Sequence, residues 1–192
     1  MTRPVIRQRP LSYVHSLASR PLDRIDLVVV HCTELPDLAQ ARAYGERVVY
    51  ADSGTGNSGH YYLDRDGRIE EWVPPDRVAH HTRGFNERSI GIELVNRGRY
   101  PDWYDSRRQT MTEPYGREQL QSLVALLRSL QRDLPTLHWV AGHEALDTGM
   151  VPACDAPEIL IYRKRDPGPL FPWDKVLGSV GLSLLETGAP QK

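Results

Sequence analysis

The chain has 192 residues, 40% of them hydrophobic, and its Lys+Arg count of 24 nearly balances its Asp+Glu count of 25. This length is typical of one domain that buries a core without crosslinks. The formal net charge of -1 argues against a nucleic-acid-binding surface. No run approaches the ~20 apolar residues of a membrane-spanning helix. We therefore expect a monomeric single domain with no nucleic-acid partner and no membrane span.

The cellular compartment is predicted from two features. Cys32 and Cys154 are too few for a disulfide framework, and although they could pair, two free thiols in a reducing compartment are the expectation. The N-terminal residues MTRPVIRQRP carry charge, but no apolar segment of a secretory signal follows them. We expect a cytoplasmic protein, with a periplasmic location as the alternative if a signal segment was removed.

Hydrophobic patterning predicts the elements of the first half of the chain. Residues 1–25 are rich in Arg and Pro and predict an extended N-terminal arm. The elements predicted after the arm are a buried strand at 27–32, a helix at 37–50, a loop at 51–59, hairpin strands at 60–63 and 68–73, and a strand at 89–95. Asp66-Gly67 supplies the tight turn of the hairpin.

The second half contains the clearest helix, because leucines and a valine recur at helical spacing over residues 116–133. The other segments predicted there are a loop at 97–113, a strand at 138–141, mostly loop over 142–168, a helix at 173–177 and a tail at 179–192, with disorder expected from Glu186. Strands alternating with helices predict an α/β fold with a mixed central sheet flanked by helices. We assign the domain to residues 26–178.

Two histidines stand where predicted strands end. His31 closes the apolar strand at 27–32, and His143 follows the strand at 138–141. Ligands of open α/β sheets bind at such carboxyl ends. Together with Asp166, the histidines could converge on one metal, because two imidazoles and a carboxylate leave a fourth tetrahedral position for water at a catalytic zinc. The three residues are far apart in the chain and match no local metal-binding motif.

Two charged residues also stand out from their surroundings. Glu93 interrupts an apolar strand and faces the side opposite Ile92 and Leu94, so it is either half-exposed or buried in a cleft with a raised pKa that suits a general base. Lys164 is one of only three lysines in an arginine-rich chain. It is either an ordinary exposed base or a group that stabilises an oxyanion.

Six motifs in order resemble the zinc-dependent N-acetylmuramoyl-L-alanine amidases. This family includes the enzyme that recycles anhydro-muropeptides, periplasmic lipoprotein amidases, phage lysozyme amidases and peptidoglycan recognition proteins. The motifs are Val28-Val29-Val30-His31, Gly59 to Gly67, Ala79-His80-His81, Asn86 to Leu94, Gly142-His143-Glu144 and Lys164 to Pro169. The resemblance spans about residues 26–174 and implies a mixed five- or six-stranded sheet flanked by helices, with a zinc site at one end of the sheet.

The resemblance also implies roles for individual residues. His31, His143 and Asp166 match the ligands of one Zn²⁺ per chain. Glu93 and Lys164 match the catalytic pair. His81 matches a histidine of the cleft wall, and we group Arg83 and Asn86 with it as substrate-binding candidates.

Departures from other branches indicate which branch this chain resembles. Phage and animal members carry tyrosine at the position of Gly59, lack the glutamate found here at Glu93, and often use cysteine at the position of Asp166. These differences favour the recycling or periplasmic branch.

The implied activity is hydrolysis of the amide between N-acetylmuramic acid, in its 1,6-anhydro form, and L-alanine of the stem peptide. The partner would be a muropeptide or peptidoglycan. The alternatives are a non-catalytic peptidoglycan-binding module and an amidase acting on a different acyl-amino-acid substrate.

Overall fold

The computed structural model describes residues 3–185. Their strands are β1 (Ile6–Gln8), β2 (Leu27–Cys32), β3 (Tyr61–Leu63), β4 (Ile69–Glu71), β5 (Ser89–Leu94), β6 (Trp139–Gly142), β7 (Met150–Pro152), β8 (Leu160–Tyr162) and β9 (Ser183–Leu184). Their α-helices are α1 (Leu38–Gly45), α2 (Arg117–Asp133), α3 (His143–Leu146) and α4 (Trp173–Leu177). Among the described residues, no helix has both the length and the apolar character needed to cross a membrane.

Seven strands form one mixed sheet in the order β1-β4-β3-β5-β2-β6-β9. The β3–β4 hairpin is antiparallel, and the other neighbours in this sheet are parallel. Strands β7 and β8 pair separately as an antiparallel hairpin. The predicted α/β class with a mixed central sheet is therefore confirmed, although the sheet has more strands than the five or six that the resemblance implied.

Strand β2 lies near the middle of the sheet and is buried along its whole length. Its register with β5 places His31 directly beside Glu93, on the same face of the sheet. Its register with β6 pairs Val30 with Gly142, so His143 leaves β6 at the same end of the sheet. The parallel pairing thus gathers these side chains at the carboxyl ends of three strands.

The two faces of the sheet are covered differently. The leucine stripe of α2 packs on the face that carries Val28, Ile90 and Ile92. On the other face, α1 and the N-terminal segment pack against Tyr62 and Trp72. Because α2 covers one face of the sheet, a cleft can form only on the opposite face.

The predicted N-terminal arm packs against the body of the protein from residue 3 onward. Strand β1 pairs with β4 at the sheet edge, and Leu11, Tyr13 and Leu17 are buried. The predicted tail contributes β9, which pairs with β6. The disorder expected from Glu186 onward lies outside the described residues.

Two local predictions differ from the structure. The helix expected at 37–50 ends at Gly45, and the backbone N–H groups of Val49 and Tyr50 donate to the Thr55 carbonyl instead. The segment expected to be mostly loop, 142–168, contains α3 and the β7–β8 hairpin. Strands of only three residues carry too little alternation to be recognised from sequence.

Candidate active site

His31, His143 and Asp166 meet at the carboxyl end of β2. One potential ligand atom from each residue lies within 4.8 Å of the others, and all three residues are buried. Asp166 Oδ2 lies 2.8 Å from His31 Nδ1 and 3.1 Å from His143 Nδ1. The structure therefore brings together the three residues that the sequence proposed as ligands.

The cluster has the chemistry of a zinc site. Among residues 3–185, His143 Nε2 and Asp166 Oδ1 are buried polar atoms without a hydrogen-bond partner, a costly arrangement unless something else satisfies them. Burial and the neighbouring His143 lower the pKa of His31 to about 4. Although burial opposes ionisation, His143 and His31 hold the pKa of Asp166 well below its usual range. Two imidazoles and one carboxylate form a ligand set suited to zinc.

Glu93 lies beside this cluster on β5. Its Oε1 is 4.0 Å from His31 Nδ1, and its side chain exposes 14% of its surface toward the cleft. Burial, with a smaller contribution from the Asp166 carboxylate, raises the pKa of Glu93 to about 8, and Lys164 opposes that rise. A carboxyl group with this pKa can both accept and return a proton near neutral pH.

Lys164 lines the same cleft, two residues before Asp166. Within the described part of the chain, its ammonium forms no hydrogen bond or ion pair. Its backbone is held by Arg99, whose guanidinium donates to the carbonyl oxygens of Tyr162 and Arg163. A cation carried on a fixed backbone segment can approach a negatively charged group in the cleft.

The three predicted substrate-binding residues occupy different environments. His81 lies behind the cluster, with its Nδ1 3.0 Å from His31 Nε2. Asn86 Oδ1 accepts hydrogen bonds from the backbone N–H groups of His81 (3.0 Å) and Thr82 (2.7 Å), so it shapes this loop. Arg83 is exposed on the cleft wall. Of the three residues, Arg83 therefore has the side chain most accessible to a ligand in the cleft.

Sequence reasoning missed a buried ion pair beneath the cleft. Glu34 and Arg99 form two side-chain hydrogen bonds of 2.7 Å, and Glu34 has a positive φ of 48°. Arg99 belongs to the 97–113 segment, which the sequence predicted as a loop that could reshape the cleft for a different substrate. The 65 positions that separate the partners leave no local pattern that could have revealed the pair.

The cleft has a volume of about 570 Å³ and extends well beyond the metal cluster. Tyr44, Tyr50, Asn57 and His80 line its other part. The Tyr50 hydroxyl donates to Asn57 Oδ1 (2.8 Å), and its ring meets His80 edge-on with centroids 5.1 Å apart. Aromatic rings beside amide and imidazole groups offer both apolar contact and hydrogen bonds to a polar ligand.

Among the described residues, neither cysteine belongs to the group of potential metal ligands. Cys32 follows His31 but packs into the core on the α2 side, where burial raises the pKa of its thiol well above the ordinary value. Cys154 is exposed. The expectation of two free thiols is met in the structure.

Known proteins resemble this chain in sequence and fold. The 1,6-anhydro-N-acetylmuramyl-L-alanine amidase AmpD of Salmonella typhimurium is 33% identical over 135 residues, which cover 66% of this chain and 58% of that protein. A crystal structure of an AmpD derivative superposes with a TM-score of 0.63 at 27% identity, covering 91% of this chain and 94% of the other. AmpDh3 of Pseudomonas aeruginosa, solved in complex with an anhydromuramic pentapeptide, has a TM-score of 0.59 at 25% identity and covers 81% and 60%.

The chain spans little more than half the length of the curated relative described above. The sequence profile described as N-acetylmuramoyl-L-alanine amidase matches residues 21–169, which include all three residues of the metal cluster as well as Glu93 and Lys164. This chain belongs to the N-acetylmuramoyl-L-alanine amidase family.

Proposed function

We propose that this protein is a zinc-dependent amidase that cleaves the bond between N-acetylmuramic acid and the L-alanine of a stem peptide. The observation that carries the proposal is the buried His31–His143–Asp166 cluster with Glu93 at its side, 4.0 Å from His31. Family membership and the named activities of the relatives support it. A module that only binds peptidoglycan would need neither the ligand cluster nor a carboxyl group of raised pKa.

His31, His143 and Asp166 would hold the zinc ion. When bound, zinc polarises an amide carbonyl and lowers the pKa of a water molecule. Glu93 takes a proton from the attacking water as the water oxygen bonds to the carbonyl carbon. It then gives that proton to the alanine nitrogen as the C–N bond breaks. Lys164 stabilises the negative charge that develops on the carbonyl oxygen.

The substrate that we propose is a soluble muropeptide carrying the 1,6-anhydro sugar. The descriptive name of the Salmonella relative specifies that sugar, and AmpDh3 was solved with an anhydromuramic pentapeptide. In this chain, the tyrosines and the polar side chains of the outer cleft would contact the sugar and stem peptide. Arg83 is the proposed substrate-binding cation at the cleft wall.

Mass spectrometry of products from paired anhydro and reducing-end muropeptides, with zinc and after chelation, tests this function. We expect free stem peptide from the anhydro form and none after chelation. Equal cleavage of both forms would keep the amidase and refute the anhydro preference. No cleavage of either form would refute the activity and favour a binding module or a different acyl-amino-acid substrate.

The cytoplasmic location and the monomeric state complete this proposal. Fractionation of cells that express the full-length protein tests the location, and recovery in the periplasm would overturn it. Light scattering coupled to size-exclusion chromatography tests the oligomeric state, with a mass near 21.8 kDa expected for a monomer.

A further inference from the structure

A chain of hydrogen bonds connects His31, through His81 and Ser89, to the backbone of Phe85. The donor and acceptor at each step follow from the Phe85 end of the chain. That end is the backbone carbonyl of Phe85, which accepts a 2.7 Å hydrogen bond from the Ser89 hydroxyl. A carbonyl oxygen can only accept, and a serine hydroxyl has a single proton to donate. The Ser89 proton is therefore committed to Phe85, and Ser89 Oγ is left as an acceptor.

His81 is the next link in this chain. Its Nε2 lies 3.2 Å from Ser89 Oγ, so Nε2 carries a proton and donates it. A neutral imidazole has one N–H, which leaves Nδ1 as an acceptor. The His81 ring meets the rings of His31 and His60 edge-on, with centroid separations of 5.2 and 5.6 Å.

The acceptor nitrogen of His81 faces the metal cluster. His81 Nδ1 lies 3.0 Å from His31 Nε2, so the chain from Phe85 favours His31 Nε2 as the donor, whereas the Asp166 carboxylate, which can only accept, favours a proton on His31 Nδ1. The Thr82 hydroxyl lies 3.0 Å from the same His81 nitrogen and 3.3 Å from His31 Nε2, and it can donate to the first and accept from the second. With its proton on Nε2, His31 keeps a lone pair on Nδ1, the atom that points to Asp166.

We propose that Ser89 and His81 are positioning residues that hold His31 in the tautomer required for binding metal through Nδ1. This inference rests on the proposed metal site and adds two residues that set its ligand. The Asp166 carboxylate, 2.8 Å from His31 Nδ1, attracts a proton to the wrong nitrogen in the metal-free protein, and the chain from Phe85 opposes that attraction. Such partners behind a ligand histidine fix its tautomer and orientation.

The position of the His81 ring depends on Gly91. A Cβ at Gly91 would lie 2.6 Å from His81 Cγ. Any larger residue at position 91 would therefore push the His81 ring away from its contacts with Ser89 and His31. In this arrangement both ring nitrogens of His81 are occupied by protein partners. The proposed role of His81 is therefore to position His31, which differs from the substrate contact that the resemblance implied.

The first test is the tautomer itself, measured by long-range ¹H–¹⁵N correlation of histidine rings in zinc-free and zinc-loaded protein. We expect His81 to be protonated at Nε2 and bare at Nδ1 in both forms. A proton on His81 Nδ1, or a doubly protonated ring at neutral pH, would overturn the inference. This measurement needs no substrate, so its result is separate from success or failure of the proposed amidase activity.

The second test is zinc affinity, measured by competition with a chromophoric chelator. Ser89→Ala leaves His81 free to change tautomer and should weaken zinc binding about 10-fold, and His81→Leu about 10- to 100-fold. Ser89→Thr and His81→Asn keep a hydroxyl and an acceptor oxygen, respectively, and should recover most of the affinity. Ser129→Ala, which alters a buried serine of α2, is the matched control and should leave affinity unchanged.

If Ser89→Ala and His81→Leu bound zinc as tightly as the wild type, while folded by circular dichroism, the positioning role would be refuted. If His81→Leu fails to fold, Ser89→Ala and the tautomer spectrum still decide the matter. Loss of zinc from the conservative variants as well as from Ser89→Ala would show a merely structural role.

Discussion

Gly59 leaves the space that Glu93 occupies. A Cβ at Gly59 would lie 2.8 Å from Glu93 Cγ and 3.1 Å from the carbonyl oxygen of Gly91. The two residues lie on different elements, and a larger side chain at one position restricts the side chain at the other. The pairing of glycine at 59 with glutamate at 93, noted in sequence as a mark of one branch, thus has a steric reason.

This contact predicts coupling between substitutions at the two positions. Gly59→Val should destabilise the protein by about 1–3 kcal/mol because it overpacks the cleft floor. In a Glu93→Ala background the cost should fall by about 1 kcal/mol, since the Cγ it strikes is gone. Urea denaturation of the four proteins of the cycle measures both values. Strictly additive free energies would show that the steric contact is unimportant.

Glu93 should also make the stability of the metal-free protein depend on pH. The unfolded chain releases this proton near the ordinary glutamate pKa of 4.5, and burial holds it in the folded chain to about pH 8. Between these values the folded state binds more protons, so stability falls as pH rises. Glu93→Gln should therefore stabilise chelated protein at pH 7, by up to about 3 kcal/mol.

The gain from Glu93→Gln should disappear as the pH falls toward 4.5, where both states hold the proton. Urea unfolding of chelated wild type and variant across this range gives the comparison. A gain that stays constant with pH would mean that packing, and not ionisation, distinguishes the two side chains.

Metal removal should distinguish the proposed ligand residues from the proposed catalytic carboxylate, Glu93. His143→Ala and Asp166→Ala should lose zinc, whereas Glu93→Ala should retain it and lose turnover. Because a ligand that binds only the folded state stabilises it, chelation should lower the melting temperature of the wild type and of Glu93→Ala. Atomic absorption and thermal melts measure these effects. Stoichiometric zinc in His143→Ala, or full turnover by Glu93→Ala, would contradict the assignments.

Arg99 should support both stability and the position of Lys164. Arg99→Ala leaves Glu34 as a buried carboxylate without its partner and frees the carbonyls of Tyr162 and Arg163, so we expect a loss of about 3–5 kcal/mol. Amidase turnover should also fall, because Lys164 follows the released segment. Denaturant unfolding and steady-state kinetics measure the two effects.

The matched control for Arg99 is Arg107, an exposed arginine of the same loop. Arg107→Ala should unfold like the wild type and keep its turnover. If the two variants had the same stability and turnover, the ion pair between Arg99 and Glu34 would contribute no more to either property than an exposed arginine does.

Local patterns in the sequence predicted much of this fold. Strand β2 is a run of buried Val and Leu, α2 carries a leucine stripe, and Asp66-Gly67 marks a turn, so each element is visible within a short window. The β7–β8 hairpin escaped prediction because each strand has three residues and Pro152 interrupts the pattern. The packing of the N-terminal segment depends on distant partners such as Trp72, which no local window contains.

The residues of the candidate site also differ in whether a local sequence pattern marks them. The sequence proposes His31, His143 and Asp166 because they lie in motifs that resemble the amidase family, and Glu93 because a carboxylate is unusual inside an apolar strand. The Glu34–Arg99 pair and the link from Ser89 to His31 had no such marks. They depend on contacts between segments that the fold alone brings together, and the direction of a hydrogen bond can be deduced only when every partner is known.

The pairing of His31 with Glu93 across β2 and β5 has a consequence for how this protein acquires its chemistry. Side chains alternate between the faces of a sheet, so a slip of one residue between these strands would send one of the two to the α2 side. A misregistered chain could still collapse around its leucines, yet it would lack the site. Glu93 is not one of the three proposed ligands, so a slip that displaced only Glu93 would leave the zinc ligands together but remove the carboxylate beside them. Recovery of turnover during refolding would therefore report the alignment of β2 with β5 more strictly than uptake of zinc.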